Sequence, residues 1–242
     1  MKKYFAFLAI VFVAALSLHA DIYVKMNTHT DAMAIMGQNT PAKDTVVEQW
    51  IGDDKFASVS GDQAYVLDLK KNMGYIINNK SKTYVETPLP LDMTKLLPPE
   101  ASAFAGMMKW TVAVTPTTET KKIGQWNCTA YDVNVTMMGM GMKMRVWAST
   151  DVPFDVNSFV TKIYANLVKG QMMMDDASVK EMMKIKGFQI ASDMSGDIMG
   201  AKMHTTSEVA EISKKTPPAG VYAVPAGYTK TATLSMSDLQ KK

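Results

Sequence analysis

Residues 21–86 consist of short segments in which apolar and polar side chains alternate, broken at close intervals by turn residues, and that pattern restricts the chain to an antiparallel meander. Ile22, Val24 and Met26 alternate with Tyr23, Lys25 and Asn27, which gives a first strand one apolar face. The spacing predicts further strands at 45–51, 55–60, 63–69, 73–78 and 82–86. Gly52-Asp53-Asp54, Gly61-Asp62, Lys71-Asn72 and Asn79-Lys80-Ser81 between them have the composition of hairpin turns.

Pro88, Pro90, Pro98 and Pro99 interrupt the pattern, and short helical turns such as 91–97 are the most that fits there. Strands resume at 110–115, 126–136 and 143–148, with 139–141 as a hairpin apex. One amphipathic helix is predicted from Val156, Phe159, Val160, Ile163, Tyr164 and Leu167, with Asp155 as N-cap and Gly170 just past its end. A second is signalled by the capping box Ser178-Val179-Lys180-Glu181, with Val179, Met182 and Met183 on one face and Gly187 as its stop. The chain closes with strands at 188–193 and 202–213, then Pro217-Pro218 and the apolar piece 221–224. No fixed-period repeat and no long linker divides it, so residues 21–242 read as a single domain.

Ahead of the first strand stand Lys2 and Lys3, the apolar run 5–18, and Ala20 followed by Asp21, the layout of a cleavable secretory signal. Cleavage after Ala20 or Ala15 fits; no cysteine follows, so a free chain without a lipid anchor is expected outside the cytoplasm, periplasmic or extracellular. The chain has 26 Lys and Arg against 23 Asp and Glu. Loss of Lys2 and Lys3 leaves 24 against 23, too even and too interleaved for a nucleic-acid partner. Cys128 stands alone, so no intramolecular disulfide forms and stability rests on the core.

Chemistry-bearing groups are sparse. His19 leaves with the signal, and His29 and His204 each sit in a strand-like segment with no second histidine or cysteine at ligand spacing. Cys128 reads as a small hydrophobe within a strand. The pairs Asp53-Asp54 and Asp175-Asp176 lie in polar connections, the second before a helix N-terminus where acids are favoured. There is no G-x-S-x-G elbow, phosphate-binding glycine loop or H-E-x-x-H. The triplets at Asn79, Asn127 and Asn134 fit the glycosylation pattern, which matters only in a eukaryotic secretory pathway. The expectation is a binding protein rather than an enzyme, with no cofactor and no metal among its site residues.

Methionine is the unusual element: 22 residues, clustered at Met137, Met138, Met140, Met142 and Met144, at 172–174, and at Met182 and Met183. Met138, Met140, Met142 and Met144 fall on one side of a hairpin at period two. Thioether sulfur is a soft ligand for Cu(I), and an unbranched thioether side chain equally suits a surface that adapts to varied apolar ligands. Both readings stand at this level.

Several segments together carry a family resemblance: Gln63-Ala64-Tyr65-Val66-Leu67-Asp68-Leu69 leading into Met73-Gly74-Tyr75-Ile76-Ile77-Asn78-Asn79 and Lys82-Thr83-Tyr84; Gly124-Gln125-Trp126-Asn127-Cys128 into Tyr131-Asp132-Val133; Val146-Trp147-Ala148; and the closing Tyr222-Ala223-Val224-Pro225-Ala226-Gly227-Tyr228. With the exported first strand and the two helices, they resemble exported proteins with a LolA-like fold, related to bacterial lipoprotein-sorting proteins. The resemblance implies an α+β fold: a strongly curved antiparallel sheet, an incomplete β-barrel, with helices covering its concave side over an apolar cavity that takes acyl chains or other hydrophobic ligands. A meander too long to stay flat, two amphipathic helices and surplus methionine are compatible with it.

The function expected is therefore an exported protein that holds a lipid-like ligand and serves envelope lipid or lipoprotein transport, with an acyl chain, envelope lipoproteins or the membrane surface as partners. Met138, Met140, Met142, Met144 and Trp147 from the sheet, and Phe159, Ile163, Met182 and Met183 from the helices, are the expected cavity lining. The alternatives are a methionine-rich copper-binding protein and a structural envelope-interaction domain without a ligand.

Overall fold

A computed structural model of the chain describes residues 20–35, 38–102, 110–137, 139–171, 173–198 and 200–239. Residues 1–19 of the expected signal at 1–20, and Met138, lie outside the described residues. The strands are β1 (Asp21–Thr30), β2 (Met33–Ile35), β3 (Gln38–Thr40), β4 (Lys43–Ile51), β5 (Lys55–Ser60), β6 (Gln63–Asp68), β7 (Met73–Asn78), β8 (Thr83–Pro88), β9 (Trp110–Ile123), β10 (Trp126–Met137), β11 (Met140–Ser149), β12 (Phe188–Ile198), β13 (Ala201–Lys215) and β14 (Thr229–Lys230). The sequence periodicity locates all of these except the small β2–β3 hairpin and the two-residue β14.

Twelve strands join in one sheet in the order β14-β8-β7-β6-β5-β4-β1-β13-β12-β11-β10-β9. Every neighbouring pair is antiparallel except β14, which runs parallel to β8. The join between the two halves is β1 against β13, from Asp21↔Lys215 to Thr30↔Thr205, a pairing across nearly the whole chain. β9 and β14 lie at opposite ends of the order and do not pair, so the sheet is not a closed barrel.

The sheet curves. In a flat sheet β5 and β12, four places apart, would be separated by roughly 19 Å at about 4.8 Å per step. Yet Phe56 of β5 and Phe188 of β12 both touch the ring of Phe159, with centroids at 6.4 and 5.4 Å. Curvature toward Phe159 brings the two strands' side chains onto one ring.

Helices are few. Besides a 3₁₀ turn at Met93–Lys95 and the short α1 (Pro99–Ser102), the main helical segment comprises α2 (Val156–Phe159), a π turn (Val160–Tyr164) and α3 (Ala165–Gln171). Asp155 caps it as expected, its carboxylate accepting the Ser158 N–H at 3.1 Å. Gly170, expected beyond the end, lies inside α3. The left-handed residue that turns the chain is instead Met173, at φ 46°.

The next helix, α4 (Asp176–Met182), is capped by Asp175, whose carboxylate accepts the Ser178 N–H at 2.7 Å. The capping box expected at Ser178 and Glu181 does not form, because both side chains are engaged by β9. Gly187 does not end α4 either. It has φ 112°, and a Cβ there would lie 2.6 Å from the Ser149 carbonyl, so it serves the close entry of the chain into β12. The last helix is α5 (Met236–Leu239).

Both faces of the first half are buried, which explains neighbouring core pairs such as Phe56 and Ala57, Val66 and Leu67, and Ile76 and Ile77. On one face Ile22, Val24, Phe56, Leu67 and Ile190 gather around Phe159 and Ile163. On the other, Tyr23, Trp50, Ala57, Val66 and Ile77 are covered by Val221, Tyr222, Val224 and Tyr228 of the closing segment. The Tyr222 hydroxyl donates to Asp21 Oδ2 at 2.5 Å and the Tyr228 hydroxyl to Asn79 Oδ1 at 3.0 Å, tying that segment across the face.

Candidate functional site

The positions singled out from the sequence fall mostly into two adjoining apolar clusters. Met142 and Met182 are buried with Val112, Val133, Val135 and Met174, and Met144 packs against them. Phe159 and Ile163 are buried in the cluster of Phe56 and Phe188. Tyr164 touches both clusters, so the two form one continuous interior. The Phe154, Phe159 and Phe188 rings meet edge-on at 5.3–5.9 Å, contacts worth about 0.5–1.5 kcal/mol each beyond area burial. Met140 and Met183 are half-buried.

Trp147 is not brought together with the methionines of its strand. Strand alternation puts it on the side of Lys143 and Arg145, opposite Met142 and Met144. Its ring is flanked by Lys121 Nζ at 5.1 Å and the Arg145 guanidinium at 5.4 Å. Arg145 in turn pairs with Asp132 at 2.6 Å and with Glu119.

An open groove of about 480 Å³ lies between the segment 87–95 and Met173-Met174. Leu89, Leu91, Met93, Met173 and Met174 supply its apolar wall, with Asp92 and Lys95 paired at 3.4 Å. Its position matters, because Leu91, Met93 and Met174, all buried and each a member of a different core cluster, line it together. None of the eight described positions among the nine expected from sequence lines it. The available signal was the apolar Leu89-Pro90-Leu91 inside a proline-broken segment, together with the methionine run at 172–174.

His29 and His204, isolated in sequence, share a ladder of ion pairs. Asp44 Oδ1 lies 2.7 Å from His29 Nδ1, His29 Nε2 lies 3.2 Å from Asp31, Asp31 Oδ2 lies 3.0 Å from His204 Nδ1, and His204 Nε2 lies 3.3 Å from Asp193. The β1–β13 and β12–β13 registers create it by setting His29 beside Thr206 and Thr206 beside Asp193. The hydrogen bond to Asp44 raises the His29 pKa, the bond to Asp31 raises that of His204, and the bond from His204 lowers that of Asp31. All five side chains are well exposed, and both nitrogens of each ring face carboxylates, an arrangement that favours imidazolium over a metal-ligating neutral ring.

Other candidate groups are engaged structurally. Cys128 is buried, and burial pushes its thiol pKa up, away from nucleophilic character. Asp54 pairs with Lys70 at 2.5 Å, and Asp175 is the cap of α4. Among the described residues no group of three or more His, Cys, Asp or Glu has metal-holding geometry. No helix among them is long and apolar enough to cross a membrane.

The chain belongs to the family described as Domain of unknown function (DUF4412), which matches residues 24–228, the span from β1 to the closing tyrosine. No curated protein matches the sequence. A solved structure titled "Structure of PNGF-II in C2 space group" is similar at 11% identity and a TM-score of 0.40. The alignment covers 88% of this chain and 31% of that one, so the chain spans about a third of that structure's length.

Proposed function

We propose that this protein binds a lipid-like or other hydrophobic ligand at the groove between residues 87–95 and Met173-Met174, and acts by carriage rather than catalysis. The observation that carries the reading is the convergence of Leu91, Met93 and Met174, from three core clusters, on one open apolar groove. Its volume of about 480 Å³ falls in the range of roughly 300–1,000 Å³ usual for small-molecule sites. An acyl chain fits walls of leucine and methionine, and the pliable thioethers accommodate ligands of more than one shape. Lys95 at the rim, paired with Asp92, meets an anionic head group by exchanging that partner.

On this reading the open sheet is the incomplete barrel of the LolA-like proteins, α2 to α4 cover its concave side, and the groove is the way in. The protein works outside the cytoplasm, exported by residues 1–20, and exchanges its cargo with envelope lipoproteins or the membrane surface. Purification from the native host, followed by native mass spectrometry and organic extraction of the same sample, tests the proposal. A stoichiometric lipid is expected. Protein of apo mass from fresh preparations, together with no uptake of added fatty acid, contradicts it.

A further inference from the structure

We propose that Met142, Met144, Met194 and Met203 form a site for a soft monovalent cation, Cu(I) or Ag(I), bound through thioether sulfur alone. The strand registers build it. Met144 stands directly opposite Met194 across β11 and β12, Met142 stands opposite Gly196, and Gly196 stands opposite Met203 across β12 and β13. Cross-strand partners share a face, and so do residues two apart on one strand, so all four methionines project to the same side. All four also belong to or pack against one apolar cluster.

Gly196 is the residue that makes the group compact. Glycine inside a strand weakens it and marks a close approach. Here a Cβ at 196 would lie 2.7 Å from Met142 Cγ, so the Met142 side chain occupies the space above Gly196, the position between it and Met203. Two strand spacings, roughly 10 Å, separate Met142 from Met203. With no side chain at 196, two unbranched side chains leaning inward close that span.

Met142 is buried and the other three are half-buried, so the group is largely screened from bulk water while part of Met144, Met194 and Met203 stays accessible. Uncharged thioethers select Cu(I) and Ag(I) over Zn(II), Mg(II) or Ca(II), for which the described residues offer no carboxylate or imidazole cluster of suitable geometry. The strands hold the four positions on a hydrogen-bonded frame. None of the four lines the groove, so this site and the ligand groove stand or fall separately.

The test uses the purified full chain labelled with ¹³C-methyl methionine and titrated with Ag(I), alongside anaerobic Cu(I) competition against bicinchoninate. Each Met→Leu substitution keeps volume and apolarity, at a cost usually under about 1.5 kcal/mol, and removes only the sulfur. The expected result is saturation at a single equivalent, with the methyl signals of these four methionines shifting and those of Met33 and Met236 unmoved. Met144→Leu with Met194→Leu lowers affinity at least about tenfold, and Gly196→Ala, which keeps every sulfur but displaces Met142, lowers it as well. Shifts spread evenly over the surface methionines, or unchanged Cu(I) affinity in the Met144→Leu, Met194→Leu protein, overturn the proposal.

Discussion

The carboxylate of Glu181 accepts the backbone N–H of Val114 at 2.8 Å, and one turn earlier Ser178 Oγ accepts the N–H of Val112 at 3.1 Å. β9 is an edge strand, and α4 lies along it and satisfies two of its outward donors, which would otherwise template pairing with another chain. Ser178→Ala should cost about 1–3 kcal/mol in urea unfolding, because the Val112 N–H is then buried without a partner. Adding Glu181→Ala should also promote self-association, read by sedimentation velocity. A doubly substituted protein that stays monomeric and fully stable would contradict this role for α4.

Phe159 is the ring on which both halves of the sheet converge, touching Phe56, Phe154, Tyr164 and Phe188. Phe159→Ala should destabilise by about 3–5 kcal/mol, from lost transfer energy plus the cavity left behind. The measurement is denaturant unfolding. A loss below about 1 kcal/mol would show that the interior collapses freely around the deletion.

Much of this architecture was legible from residue alternation, and the parts that were not share a cause. Alternation fixes which residues within a segment share a face, so β1, β4 to β8 and the common face of Met142 and Met144 emerge directly, but not which side of the sheet that face becomes. Pairing partners distant in sequence are invisible to it. The β1–β13 register, which creates the His29–Asp31–His204 ladder, joins segments about 180 residues apart. Ser178 and Glu181 show the same limit: their spacing fits a capping box, but a strand 67 residues away competes for the same oxygens. The groove escaped because its walls come from the end of β8, the loop and 3₁₀ turn after it and the connection before α4, where no periodicity marks the apolar residues.

The histidine ladder makes stability depend on pH with a definite sign. His29 and His204 have folded pKa values above the unfolded value near 6.5, so their contribution is complete below about pH 6.5 and is lost as pH rises through the raised values. Asp31 has a lowered pKa, so its contribution is present above about pH 3.9 and disappears as pH falls through the lowered value. Denaturation midpoints should therefore fall on the alkaline side of this window, and His29→Gln with His204→Gln should flatten that limb. An unchanged alkaline limb in the double variant would contradict the assignment.

Gly187 combines φ 112° with a backbone approach that leaves no room for a Cβ. Gly187→Ala should destabilise by more than about 1 kcal/mol, whereas Gly61→Ala, left-handed but in open space, should cost less. Thermal unfolding of the two proteins side by side separates steric from conformational cost. Equal losses would contradict the steric role given to the Ser149 contact.

Occupation of the groove by a hydrophobic ligand is tested most directly by binding of a fluorescent long-chain fatty acid to the protein and to its Met173→Glu variant. Met173 is half-buried in the groove wall and packs against the cluster of Ile76, Val85 and Met93, so a carboxylate there opposes both the apolar chain and its head group, and denaturant unfolding of the variant checks that its fold is kept. Saturable binding by the unsubstituted protein, weakened at least about tenfold by Met173→Glu, is the predicted result. No saturable binding, or equal binding by both proteins, would contradict it.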